Sequence, residues 1–153
     1  MICVQLTQEK NVDLLEKYGV FLRREMISRY DVFMEDYHRK VRIEGEVALE
    51  IARSMIEPAA VAEFEKTLRA VGEAKTVAVK AGTASLRKHA EQLGKIIDRL
   101  NGEEDALATA LKGKHEDILQ AMHQIRLTVD ELEKMIPDSC WPLPKYREML
   151  FVY

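Results

Sequence analysis

One glutamate and one histidine have the spacing of a metal-binding pair. Glu35 and His38 form a Glu-x-x-His pattern, and in a helix side chains three positions apart lie on the same face. A carboxylate-bridged two-metal site in a helical bundle needs a second such pair and two further glutamates. None of the other three histidines has a glutamate three positions before it. We therefore interpret His38 as a surface or interface histidine and predict no metal ligand.

A cluster of charges also has residue types that could do acid–base chemistry. Arg42 is followed by Glu44, Glu46 and Glu50, and Arg53 comes one helical turn after Glu50. General acid–base catalysis requires a pocket around the reacting groups, which spacing alone does not provide. Charges of both signs at helical spacing are typical of a solvated helix face. We predict such a face here and no catalytic residue.

Phosphate-binding and redox patterns are also missing from the sequence. Lys112, Gly113 and Lys114 are basic and flexible, but they lack the other glycines of a phosphate-binding loop. Cys3 and Cys140 belong to no Cys-x-x-Cys pattern, so neither a zinc site nor a redox pair is indicated. We expect reduced thiols in a cytoplasmic protein and predict no cofactor-binding residue.

Length and composition indicate one soluble helical domain over residues 1–153. Of 153 residues, 47% are hydrophobic and 32% are charged, with only 7 glycines and 4 prolines. That balance supplies a core and lets long helices run without interruption. The net charge of −3 provides no basic field for nucleic acid or an anionic membrane. No apolar run approaches the roughly 20 residues of a membrane span.

The elements that carry these residues are predicted from apolar spacing of three and four. The pattern predicts a short helix over residues 8–17, with Thr7 as its N-cap and Gly19 as its stop. A long helix follows over residues 22–56 and is broken or kinked at Pro58. Further helices are predicted over residues 59–79, then from a cap at Thr83 or Ser85 to a turn at 101–102. A last helix covers residues 103–136, with a possible kink at 112–114. The pattern leaves residues 72–84 open.

These elements predict an all-α fold, an antiparallel bundle of three to four long helices. The short N-terminal helix precedes the bundle, and an ordered Trp-Pro-x-Pro tail follows it. Half-polar aromatic side chains on the long helix and in the tail suit a surface shared between subunits. The predicted interface residues are Tyr30, Phe33, Tyr37, Trp141 and Tyr146.

Several stretches together resemble the C-terminal region of type III glutamine synthetases. They are residues 10–20, 28–32, 35–37, 43–46, 55–60, 129–133 and 141–151. The last contains Trp-Pro-Leu-Pro-Lys-Tyr. Their order and spacing cover most of the chain.

The resemblance implies a helical appendage of an enzyme that makes glutamine from glutamate, ammonia and ATP. ATP and a divalent metal are expected only in the upstream catalytic domain of that family. No catalytic residue can be transferred to this chain, since none of those motifs is present. We therefore expect the chain alone to be inactive.

Two functions from different classes follow from this sequence. The first is a non-catalytic domain that packs or assembles synthetase subunits, with itself or the catalytic part as partner. The alternative is an independent helical adaptor or scaffold that binds another protein. A stand-alone enzyme with a site in the bundle core is a third hypothesis, which the missing metal-ligand pairs disfavour.

Overall fold

The computed structural model describes residues 7–77, 82–144 and 148. In this part of the chain every regular element is helical, which confirms the predicted all-α class. The helices are α1 (Glu9–Lys17), α2 (Arg23–Ile51), α3 (Glu57–Thr76), α4 (Thr83–Ala110) and α5 (His115–Met135). A π-helical turn covers Ala52–Ile56 and a 3₁₀ turn covers Asp138–Cys140. Contacts divide the chain into an N-terminal unit, Met1–Ile43, and a C-terminal unit, Glu44–Tyr153.

The N-terminal unit contains α1 and most of α2. Helix α1 begins at Glu9 with Gln8 as its N-cap, so Thr7 does not occupy the predicted capping position. Gly19 ends α1 as predicted, with a φ of 65°. The amide of Val20 donates to the Leu15 carbonyl at 2.9 Å, the bond that defines a glycine-terminated helix end.

The start of α2 is fixed by charged side chains of the N-terminal unit. Glu25 accepts a hydrogen bond from the Leu22 amide at 2.8 Å, which satisfies a free donor at the helix start. Arg23 pairs with Glu9 at 2.9 Å and with Asp13 at 2.7 Å. These exposed pairs connect the first turn of α2 to α1.

The C-terminal unit packs α3 against α4 and α4 against α5. The largest fully buried side chains of the described residues belong to this unit: Leu93, Leu100 and Leu107 lie on α4, and Ile118 and Leu132 lie on α5. Lys75 and Arg87 line one end of the groove between α3 and α4, and Phe64 lies against Gly94 farther along. This pairing is antiparallel, as the short connection between the helices requires.

Two predicted boundaries in the C-terminal unit are wrong. Helix α4 continues through Asn101 and Gly102, where a turn was predicted. Leu100 and Leu107 are both fully buried on the same face, and their burial outweighs the roughly 1 kcal/mol that a helical glycine costs. The break lies instead at 111–114, where only a kink was predicted. Glu103 is therefore in the middle of a helix and does not begin one.

The described residues between 72 and 84 show where α3 ends and α4 begins. Helix α3 ends at Thr76, and Gly82, with a φ of 79°, is the N-cap of α4 in place of Thr83 or Ser85. Residues 78–81 are outside the described part of the chain. The prediction of one domain over residues 1–153 stays a prediction.

Pro58 explains the irregular turn between α2 and α3. It occupies the first turn of α3, and a proline there cannot donate to the carbonyl four residues before it and pushes that carbonyl away. The chain nevertheless keeps right-handed helical dihedrals at Ile51, Ile56 and Glu57. The predicted break or kink is thus a π-helical turn, and π turns and prolines are both common causes of kinks in helices.

Candidate functional site: an exposed face of the long helix and a buried ion pair

Three of the predicted interface residues lie on α2 within the N-terminal unit. Tyr30 and Tyr37 are half-buried, whereas Phe33 is 56% exposed. The ring of Tyr37 lies 5.9 Å from that of His38, centroid to centroid. The three side chains thus form a row along one helix, and Phe33 has the most surface left for a partner.

The other two predicted interface residues belong to the tail. Trp141 is half-buried in extended backbone just after the 3₁₀ turn. Tyr146 is outside the described residues, as is most of the chain after Pro144. The prediction of an ordered tail therefore stays a prediction.

A second face of α2 is apolar and exposed. It holds Leu22 at 47%, Val32 at 62%, Phe33 at 56% and Ile43 at 52% exposure. With 3.6 residues per turn these side chains fall within an arc of about 100°. Sequence reasoning identified Phe33 of this face and missed the other three apolar side chains. The spacing of its four apolar side chains was the available signal.

Four exposed charged residues lie within the same arc: Glu25, Arg29, Asp36 and Lys40. Together with Leu22, Val32, Phe33 and Ile43 they form what we call the outer face of α2. Along this face apolar positions lie at both ends and in the middle, and one acidic and one basic residue, in that order, separate each end from the middle. Such an alternation can recognise a surface with the opposite order of charges.

Local contacts fix several of these charges. Asp36 and Lys40 form an ion pair at 2.7 Å. Hydrogen bonding to Lys40 lowers the pKa of Asp36, and the same bond raises the pKa of Lys40. The Arg29 guanidinium lies 4.8 Å from the centre of the Phe21 ring, a geometry that attracts a cation to an aromatic face.

The C-terminal unit contains a buried carboxylate that sequence reasoning did not identify. Glu104 is 3% exposed, and Arg53 of the π-helical turn donates to its Oε2 at 3.3 Å. Arg53 also pairs with the exposed Asp105 at 3.1 Å. The Oε1 atom of Glu104 is buried and has no hydrogen-bond partner. Arg53 was predicted to belong to a solvated face, but it reaches across to α4.

Burial dominates the titration of Glu104. It raises the pKa of this carboxyl above its ordinary value of 4.5, Arg53 opposes the shift, and the nearby charges of Glu57 and Asp105 reinforce it. A raised pKa in a buried carboxyl can mark a functional site, but structural ion-pair networks produce it as well. The group contacts one arginine, so a structural role accounts for what is observed.

Two open grooves run along α4. One has a volume of about 550 Å³ and lies between α3 and α4, with Phe64, Leu68 and Val71 among its lining residues. The other measures about 600 Å³ and includes His89 and Lys134. Neither groove contains Glu104.

Among the described residues, no three His, Cys, Asp or Glu side chains are close enough together to hold a metal ion. Glu35 of the Glu-x-x-His pair forms an ion pair with Arg39 at 3.1 Å. None of the described helices has the length and apolar character needed to cross a membrane.

Comparisons with known proteins agree with the resemblance seen in the sequence. Residues 2–75 match the family described as "Glutamine synthetase C-terminal domain". A glutamine synthetase of Butyrivibrio fibrisolvens is 29% identical over 94% of this chain, which corresponds to 22% of that protein. A type-3 glutamine synthetase of Dictyostelium discoideum is 23% identical over 96% of the chain and 22% of its own length.

A third relative, a glutamine synthetase of Bacteroides fragilis, is 31% identical over 86% of the chain. The chain spans about a fifth of the length of the curated relatives it matches. No solved structure matches it significantly. The resemblance to the C-terminal helical domain of type III glutamine synthetases is therefore confirmed.

Proposed function

Because residues 2–75 belong to the glutamine synthetase C-terminal domain family, we propose that this chain is a non-catalytic helical part of such a synthetase and packs its subunits together. The parent reaction would join glutamate and ammonia at the expense of ATP. The partners would be the catalytic part of the synthetase, further copies of this chain, or both. ATP and the divalent metal would bind elsewhere in the enzyme, and no nucleic acid or membrane would take part.

The exposed apolar surface of α2 is the observation that supports this proposal. Val32 and Phe33, in the N-terminal half of α2, are more than half exposed. Contiguous apolar surface of this kind is typical of sites that other protein surfaces cover. Aromatic side chains such as Phe33, Tyr30 and Tyr37 are also enriched in protein interfaces. Packing between subunits would remove this surface from water.

Capture of the catalytic part by this chain tests the proposed function. The chain, carrying an affinity tag, is produced together with the rest of the synthetase expressed as a separate polypeptide. We expect co-purification, and we expect Val32→Glu with Phe33→Glu to reduce the number of subunits in the purified assembly, because two charges would enter an apolar contact between subunits. Leu119→Glu on α5, where the side chain is 39% exposed, is the matched control and should leave that number unchanged.

Two results would contradict the proposal. Glutamine formation by the chain alone, from glutamate, ammonia and ATP, would assign it a catalytic role. Stable capture of a different protein with no synthetase subunit present would support the adaptor alternative.

A further inference from the structure

The outer face of α2 has a symmetry that the proposed function does not by itself require. Two copies of the helix can be placed antiparallel, with Val32 of each copy opposite Phe33 of the other. The next positions outward then bring Arg29 opposite Asp36 of the second copy. One turn farther, Glu25 lies opposite Lys40, and at the ends Leu22 lies opposite Ile43. Each contact occurs twice because the arrangement has twofold symmetry.

We propose that the occupant of this face is the same face of a second copy, paired antiparallel about Val32 and Phe33. The inference rests on the proposed assembly function and specifies its partner and geometry. Apolar contacts lie at the centre and at both ends, and opposite charges lie between them. With a rise of 1.5 Å per residue, the contact from Leu22 to Ile43 is about 32 Å long.

The charges select this arrangement over its competitors. In a parallel pair in register, every charged residue faces its own copy, so Arg29 meets Arg29 and Asp36 meets Asp36. Sliding the antiparallel pair by one turn in one direction places Arg29 opposite Lys40. Sliding it the other way places Glu25 opposite Asp36. Like charges in opposition disfavour each alternative, which is how charged positions specify register and orientation in paired helices.

The contacts of Asp36 and Arg29 within one chain are compatible with pairing to a second copy. Lys40 holds Asp36 at 2.7 Å on the same helix, and Arg29 of the second copy would add a third charge to this pair. The contact of Arg29 with Phe21 restricts the guanidinium before any partner arrives. Restricting a side chain in advance reduces the entropy that pairing must overcome.

Charge reversal in the 153-residue chain tests the pairing by sedimentation at several concentrations. We expect a dimer, and we expect Arg29→Glu to raise its dissociation constant about tenfold, because two exposed ion pairs become repulsive. Adding Asp36→Arg should restore the constant to within about threefold of the original. Arg24→Glu makes the same change of charge on α2 outside the outer face, and it should leave the constant unchanged.

Cysteine cross-linking tests the orientation independently of affinity. Cys3 and Cys140 are first replaced by serine so that only introduced thiols react. The double variant Leu22→Cys with Ile43→Cys should form disulfide-linked dimers, while neither single variant should. The two positions on one helix are about 32 Å apart, and a disulfide requires Cα atoms within about 7 Å. A bond within one chain is therefore impossible, and circular dichroism checks that each variant stays helical.

Each outcome supports or overturns the inference. Cross-linking of the single variants would indicate a parallel pair and overturn it. Association that is unaffected by charge reversal, with no cross-link in the double variant, would overturn the pairing and leave the proposed assembly function intact. A monomer at every concentration would overturn self-pairing, and capture of the catalytic part would then decide the proposed function separately.

Discussion

At the residue scale, Glu104 illustrates how an acidic side chain can be buried and still be accommodated. Arg53 satisfies one of its oxygens, while the other oxygen is buried without a partner. Burial therefore favours the protonated form, in spite of the arginine. The consequence is a folded state that holds a proton on this residue more tightly than the unfolded chain does.

We predict that Glu104→Gln changes how stability depends on pH. Because the pKa of Glu104 is raised on folding, its stabilising contribution is complete below the unfolded pKa. It is lost as the pH rises through the higher folded value. The melting temperature of the original chain should therefore fall relative to that of Glu104→Gln as the pH rises from about 4. Thermal melts at a series of pH values measure the difference.

Asp105→Asn is the control for this prediction. Asp105 contacts the same arginine, but its side chain is 84% exposed, so little of its charge is removed from water. The difference between the original chain and Asp105→Asn should vary less with pH. Parallel curves for the original chain and Glu104→Gln would show that Glu104 is not the responsible group.

Gly45 is a second residue whose role depends on its neighbours. A Cβ added there would lie 2.8 Å from Cγ2 of Ile118 and 3.0 Å from Cδ2 of Leu111. Gly72, also helical, has no such neighbour within 4 Å. Alanine in place of glycine improves helix propensity equally at both sites, so only the packing differs.

We predict opposite effects for Gly45→Ala and Gly72→Ala. Overpacking of about 1–3 kcal/mol should outweigh the propensity gain of about 1 kcal/mol at Gly45. Gly72→Ala should stabilise the protein by up to about 1 kcal/mol. Denaturant unfolding of both variants measures this. Equal stabilisation by the two substitutions would mean that Ile118 moves away at no cost.

At the scale of elements, the length of α4 was the main error of sequence reasoning. The pair Asn101–Gly102 is typical of turns, yet the helix passes through it because Leu100, Glu104 and Leu107 continue one buried face. Local preference is worth about 1 kcal/mol, while burial of a single leucine is worth about 2 kcal/mol. Packing therefore determines the boundary.

We predict that Gly102→Ala stabilises the C-terminal unit by about 1 kcal/mol, since the position is helical and open to solvent. A built Cβ meets nothing within 4 Å there. Gly82→Ala is the contrasting variant. Because Gly82 has a φ of 79°, alanine there should destabilise the protein. Chemical denaturation measures both, and a loss of stability in Gly102→Ala would indicate a turn at that position.

At the scale of the whole molecule, self-association should make thermal stability depend on concentration. Tyr37 offers a test, because it is a half-buried residue of the predicted interface. We predict that Tyr37→Ala reduces the concentration-dependent part of the melting temperature more than the stability at high dilution. A loss of about 3–5 kcal/mol at every concentration would instead indicate an aromatic side chain buried within one chain.

Leu100→Ala is the matched comparison for Tyr37→Ala. Leu100 is fully buried in the C-terminal unit, so its truncation should cost about 2–5 kcal/mol. That loss should not depend on concentration if dimerisation involves α2.

The amino-acid sequence by itself determined the all-α class, the long helix, the stop at Gly19 and the resemblance to the synthetase C-terminal region. These depend on the period of apolar residues, on glycine conformation and on the order of motifs, all of which are local or linear properties. Tertiary structure alone decided that α4 passes through Gly102, that Arg53 reaches Glu104, and that Gly45 lies against Ile118. Each depends on what another helix buries, and a single stretch of sequence does not contain that information.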